Sequence, residues 1–191
     1  MNMKYDTLKS ARDEEIVAKI VSESQTDYFE ILYDRYYRKV LDKCYSLLKN
    51  HQLAKDFTED IFSKTYEKLK TFWNISSFSS WLYSITYNHC IDYLRHKKKL
   101  HYPEWNRENE IPEIIDETED HLKAINYDDL LVVLDMIHPE GKALLVMKYQ
   151  DNISLKHISE SLRISEDATK MRLKRARTRV FYLYKEKFLN K

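Results

Sequence analysis

Residues 153–180 read ISLKHISESLRISEDATKMRLKRARTRV, and every other assignment in the chain is made outward from this stretch. Ser154 precedes Leu155, Ile158 and Leu162, apolar residues at spacings of three and four, so the spacing predicts a short helix capped by Ser154. The pattern breaks at Arg163-Ile164-Ser165. Ser165 then stands before Glu166 and Asp167, a capping hydroxyl followed by two negative charges, which opens a second helix. Thr169, Leu173, Ala176 and Val180 share one narrow face of it. Met171, Lys174, Arg175 and Thr178 fall on the opposite face, flanked by Lys170, Arg172 and Arg179. Six of the ten residues 170–179 are basic and none is acidic. A basic helical face by itself is usually a solvated surface. Here it follows a short helix, a three-residue turn and a capped start, and the conjunction reads as a helix-turn-helix with its cations outward. Such turns usually hold a glycine; Arg163 is expected in the left-handed position, at a cost of about 1 kcal/mol.

A chain of 191 residues accommodates one domain or two small ones, and 43% hydrophobic content fills modest cores. One glycine and three prolines argue against a β-sandwich or a glycine-rich nucleotide loop, and for long helices. No apolar run approaches the ~18 residues of a membrane span, and the N-terminal stretch MNMKYDTLKS lacks an apolar signal core. Cys44 and Cys90 lie in amphipathic stretches rather than in a disulfide framework. A cytoplasmic protein without membrane insertion is expected. The net charge of +1 conceals strong segregation along the chain.

The expected fold class is all-α: two small helical domains joined by a flexible acidic linker. Residues 1–26 are polar, with one short amphipathic turn at Ile16, Val17, Ile20 and Val21. Residues 27–100 form the first domain. Phe29, Tyr33, Tyr36, Val40, Cys44 and Leu47 follow helical spacing, and Asn50-His51 ends that run. Leu53, Phe57, Ile61, Thr65 and Leu69 mark a second helix, with Lys55, Glu59, Asp60 and Lys64 outward. A third, with a cap at Ser76-Ser77 or Ser79, buries Tyr87, Ile91 and Leu94. The linker, 101–124, holds eight carboxylates against one arginine between Glu104 and Asp120, and Pro103 and Pro112 interrupt any helix. Residues 125–191 form the second domain: a helix through Leu130 and Ile137, a break at His138-Pro139, another helix to Tyr149, then the helix-turn-helix.

Catalytic signatures are missing: there is no Walker-type loop, no nucleophile turn and no zinc-spaced Cys-His set, so no enzyme, metal or cofactor is expected. The third helix does carry a polar stripe, Asn88, Asp92 and Arg95 at i, i+4 and i+7, continued by the cations Lys97 and Lys98. Trp81, Tyr83 and Tyr87 are interleaved with it. Aromatics beside cations, with an amide able to read a base edge, suit single-stranded DNA; the bland alternative is a solvated helix end.

This order of motifs resembles the extracytoplasmic-function sigma factors, small two-domain promoter-recognition subunits of bacterial RNA polymerase. FEILYDRYYRKV resembles the opening of their region two. AKDFTEDIF resembles Ala-Glu-Asp-Leu-Thr-Gln-Glu-Val-Phe, which docks on the clamp-helix coiled coil of the polymerase core. FSSWLYSITYNHCIDYLR resembles Phe-x-x-Trp-Leu-x-x-Ile-x-x-Asn-x-x-x-Asp-x-x-Arg, the segment that captures the melted minus-ten element. Ile164-Ser165 and Leu173-Lys174-Arg175-Ala176-Arg177 resemble region four. Lys55, Glu59, His157, Arg163 and Ala168-Thr169 depart from the family's usual Glu, Gln, Glu, Gly and Thr-Val. The resemblance implies core docking through Asp56, Glu59 and Asp60, and minus-ten capture through Asn88, Asp92, Arg95, Lys97 and Lys98. It implies minus-thirty-five duplex recognition by Met171, Lys174 and Arg175, with Lys170, Arg172 and Arg179 on phosphates. An anti-sigma factor is a further partner such proteins often have. The alternative reading is a stand-alone helix-turn-helix regulator that oligomerises through its first domain.

Overall fold

The structure, a computed structural model, describes residues 10–23, 26–72, 77–97 and 126–189. The expected linker, 101–124, and Lys98 lie outside them. The regular elements among the described residues are all helical, with no strand. Two compact units result, 1–94 and 95–191, and the division falls in the last turn of a helix.

In the first unit, α1 (Asp13–Glu23), α2 (Phe29–Leu48), α3 (His51–Lys68) and α4 (Phe78–His96) surround an aromatic-rich core. Where one amphipathic turn was expected near residue 16, α1 is a helix of 11 residues with Ile16, Val17 and Ile20 buried. Each contributes about 1.5–3 kcal/mol by leaving water. Its polar face is used too. Asp13 receives hydrogen bonds from Arg35 and the Tyr36 hydroxyl, and the Phe78 amide donates to Glu14 Oε1 at 3.0 Å, so α1 supplies an acceptor to the start of α4. Ser77 Oγ accepts from the Ser80 amide and completes that cap. Lys49, left-handed at φ 53°, ends α2, and Asn50 Oδ1 accepts the Leu53 amide at 2.9 Å to begin α3. Cys44 and Cys90 are buried thiols on α2 and α4, their sulfurs 3.7 Å apart.

The second unit contains α5 (Tyr127–Leu134), α6 (Pro139–Leu145, continued by a wider turn to Gln150), α7 (Leu155–Leu162) and α8 (Glu166–Tyr184). Its core is aliphatic: Val133, Ala143, Leu144, Met147, Ile153, Ile158, Leu162 and Leu173. The chain's one glycine, Gly141, faces α8. A Cβ there would stand 3.4 Å from Ala176 Cβ and 3.7 Å from Ile137 Cδ1, so the close helix approach leaves no room for a large side chain. Both expected serine caps form: Ser154 Oγ accepts from the His157 amide and Ser165 Oγ from the Ala168 amide. Arg163 adopts the left-handed conformation, φ 54° and ψ 46°, and the Ile164 amide returns to the Ser159 carbonyl. Tyr184, near the far end of α8, accepts the Asn126 amide at 2.8 Å and ties that end to the start of α5.

Candidate nucleic-acid and docking surfaces

Helix α8 is held by one buried stripe, Thr169, Leu173 and Ala176, with Val180 half-buried beyond it. Met171, Lys174 and Lys170 are exposed and Arg175 is half-exposed. Lys170 Nζ lies 3.4 Å from Asp167, one turn back, and Arg179 leans over the Tyr182 ring at 5.7 Å, so both cations remain at the surface. Arg172 differs from the phosphate-facing position expected of it. Its guanidinium pairs with the carboxylate of Glu140, a residue only 1% exposed at the start of α6. Arg95, the first residue of the second unit, meets the other oxygen of that carboxylate at 2.8 Å and donates to the Leu162 carbonyl at 3.0 Å, so both guanidinium groups are committed inside the unit.

The first unit carries an opposite charge on α3. Asp56, Glu59 and Asp60 are all exposed, while Ala54, Phe57, Thr58, Ile61 and Phe62 on the other face are buried. The three carboxylates have different neighbours. Asp56 accepts from Gln52 on its own helix at 2.9 Å. Glu59 accepts from the Tyr33 hydroxyl of α2 at 3.0 Å. Asp60 stands 3.8 Å from Nε2 of His89 on α4. The His89 ring packs on Phe57, and its Nδ1 lies 3.0 Å from Lys64 Nζ. Burial, first, and the adjacent ammonium hold its pKa below the usual histidine value, partly offset by Asp60 and Asp92.

On α4, Asn88, Asp92 and Arg95 follow one another along a stripe, Asn88 and Asp92 half-buried, and Lys97 is exposed beyond the helix end. Asn88 Oδ1 accepts no hydrogen bond among the described residues. The aromatics expected to flank this stripe are placed otherwise. Tyr87 is 1% exposed and belongs to the core, its hydroxyl meeting Lys43 Nζ at 3.1 Å. Tyr83 carries Lys43 over its ring at 4.2 Å, and Trp81 packs on Phe72 and Phe78. Tyr87 thus takes the buried place that its spacing with Ile91 and Leu94 predicts.

A model of the family Sigma-70 region 2 matches residues 32–100, the span of α2, α3 and α4. The ECF RNA polymerase sigma factor SigW of Bacillus subtilis (strain 168) is 28% identical over 172 residues, which cover 83% of this chain and 90% of its own. The chain is similar to the extracytoplasmic-function sigma factors. The RNA polymerase sigma factor SigV of the same organism is 28% identical over 133 residues, 69% of this chain and 76% of its own. Among solved structures, the sigma factor RpoE from Bartonella quintana, in co-crystal with the anti-sigma factor NepR, has the same fold. Its TM-score is 0.55 at 18% identity, over 82% of this chain and 96% of that one.

Three residues of this chain were not legible in the sequence. Glu140 follows Pro139 at a helix start, where an acid is ordinary; its burial depends on the approach of α8 and has no local signal. Tyr33 was legible only as a core aromatic, yet its hydroxyl reaches Glu59, 26 positions away. Glu14 looked like surface charge and caps α4. No described helix is long and apolar enough to cross a membrane.

Proposed function

We propose that this chain is a sigma factor that docks on core RNA polymerase through Asp56, Glu59 and Asp60, reads duplex promoter DNA with α8, and captures a melted base with α4. The observation that carries the reading is the separation of charge between two exposed helical faces: carboxylates on α3 in one unit, Lys170, Lys174, Arg175 and Arg179 on α8 in the other. Met171, Lys174 and Arg175, opposite the Leu173 stripe, contact bases of the minus-thirty-five element; Lys170 and Arg179 contact phosphates, and Arg172 stays with Glu140. With few phosphates neutralised, the protein binds promoters weakly alone and tightly as part of the holoenzyme. It acts by binding rather than by bond chemistry, in the cytoplasm. Its partners are the core, promoter DNA and an anti-sigma factor, as in the RpoE complex.

Asn88 is central to opening. On this reading the Asn88 carboxamide, whose oxygen is buried and unpaired among the described residues, turns outward to accept from an extruded base of the minus-ten non-template strand, while Asp92 orients its neighbours and Lys97 and Lys98 hold the backbone; Arg95 stays with Glu140. Capturing a flipped base offsets an unstacking cost of a few kcal/mol, so this contact acts on opening more than on initial binding. Asn88→Ala is expected to leave holoenzyme binding to duplex promoter unchanged and to slow open-complex formation, with partial rescue on a template already melted at minus ten. Permanganate footprinting of unpaired thymines measures this. Opening of the linear promoter at the wild-type rate would remove Asn88 from the mechanism.

A further inference from the structure

The three carboxylates proposed to meet the polymerase are all exposed but unequally held. Asp56 is paired along its own helix, and Asp60 has His89 at 3.8 Å, beyond hydrogen-bond reach. Glu59 accepts a hydrogen bond at 3.0 Å from Tyr33 on the neighbouring helix α2. Tyr33 is itself fixed. Its ring is half-buried, with centroids 4.7 Å from Phe62 and 5.1 Å from Tyr37, and Phe62 is 3% exposed. The donor is thus set by rings packed between α2 and α3, and its hydroxyl emerges where Glu59 leaves the helix.

We infer that Tyr33 is a positioning residue that presets Glu59 for docking on the polymerase core, an inference that rests on the docking reading above. A solvent-exposed glutamate samples many rotamers and loses that freedom when a partner engages it. The Tyr33 hydroxyl removes part of this loss beforehand by holding one carboxylate oxygen in place. A carboxylate has about four acceptor positions, so a single tyrosine leaves others for a cationic or amide donor on the partner. Burial and then the Glu59 hydrogen bond raise the phenol's pKa to about 12, so the hydroxyl remains a donor across the physiological range. The departure at this position acquires a physical sense: Glu59 stands where the family prefers Gln, and an ionised acceptor makes the stronger bond to a phenol.

The test is a double-mutant cycle on the full-length chain, titrated into purified core RNA polymerase. Tyr33→Phe keeps the rings and removes only the hydroxyl; Glu59→Ala removes the acceptor. Ordering one such side chain corresponds to a roughly two- to tenfold change in affinity, so Tyr33→Phe is expected to weaken core binding by that factor. In the Glu59→Ala background the same substitution is expected to change nothing, a non-additivity that a merely structural role would not produce. Thermal midpoints of the variants check that the ring packing survives. If Glu59→Ala weakens binding and Tyr33→Phe does not, or if Tyr33→Phe acts equally in both backgrounds, the positioning role is overturned and the docking reading stands. If Glu59→Ala binds core like wild type, the assignment of Glu59 to docking falls, and the positioning role with it.

Discussion

The two units handle charge in opposite ways. The first pairs its inward carboxylate, Asp13, with Arg35 and Tyr36 and leaves the α3 acids at the surface. The second buries Glu140 against two arginines, Arg172 of α8 and Arg95. Position on a helical wheel therefore does not decide whether a cation is left at the surface. Arg172 and Arg175 lie three residues apart on one helix; Arg172 is tied to a carboxylate that has left water, and Arg175 is half-exposed.

That contrast breaks most visibly at Arg172. Arg172→Ala is expected to destabilise the second unit by about 1.5–3 kcal/mol, because buried Glu140 loses one of its two arginine partners and keeps Arg95. All three tryptophans, Trp73, Trp81 and Trp105, precede residue 126, so urea unfolding followed by helical circular dichroism should shift while the tryptophan-fluorescence transition stays in place. Arg175→Ala should leave stability within ~0.5 kcal/mol and cost about 1–3 kcal/mol of discrimination at one base position, read by holoenzyme binding to a set of promoter variants. A common stability loss for both would erase the distinction.

A smaller effect is expected at the turn. Arg163 stands at φ 54°, where glycine is unpenalised, so Arg163→Gly should stabilise the second unit by about 0.5–1 kcal/mol in the same experiment. The smallest concerns acid. Folded His89 binds a proton less readily than the unfolded chain, whose value is near 6.5. Its contribution to stability is present above that value and is lost as pH falls from it toward the depressed folded value. Relative to wild type, His89→Gln should flatten the pH dependence of first-unit stability over that window, monitored by tryptophan fluorescence.

Much of the fold was legible because it is local. Spacing located α2, α3 and α4, hydroxyls marked the starts of α7 and α8, and the missing glycine marked the left-handed turn at Arg163. What escaped is what depends on distant partners. Ile16, Val17 and Ile20 suggested a turn, whereas α1 runs on to Glu23 with its polar residues bonded to α2 and α4. The stripe of Asn88 and Asp92 and the buried place of Tyr87 could be read from spacing, but the meeting of the Tyr87 hydroxyl with Lys43 of α2 could not. Gly141 had no local reason until Ala176 was placed against it.

The division of labour between the units is tested most directly by one titration. Labelled full-length protein is added to core RNA polymerase as wild type, as a Glu59→Lys/Asp60→Lys double variant and as a Lys174→Ala/Arg175→Ala double variant. Exposed substitutions of this kind shift stability by no more than ~0.5 kcal/mol, so all three remain folded. Wild type and the α8 variant should saturate alike, and the α3 variant should fail to bind. Undiminished binding by the folded α3 variant, or loss of core binding in the α8 variant, would contradict the account.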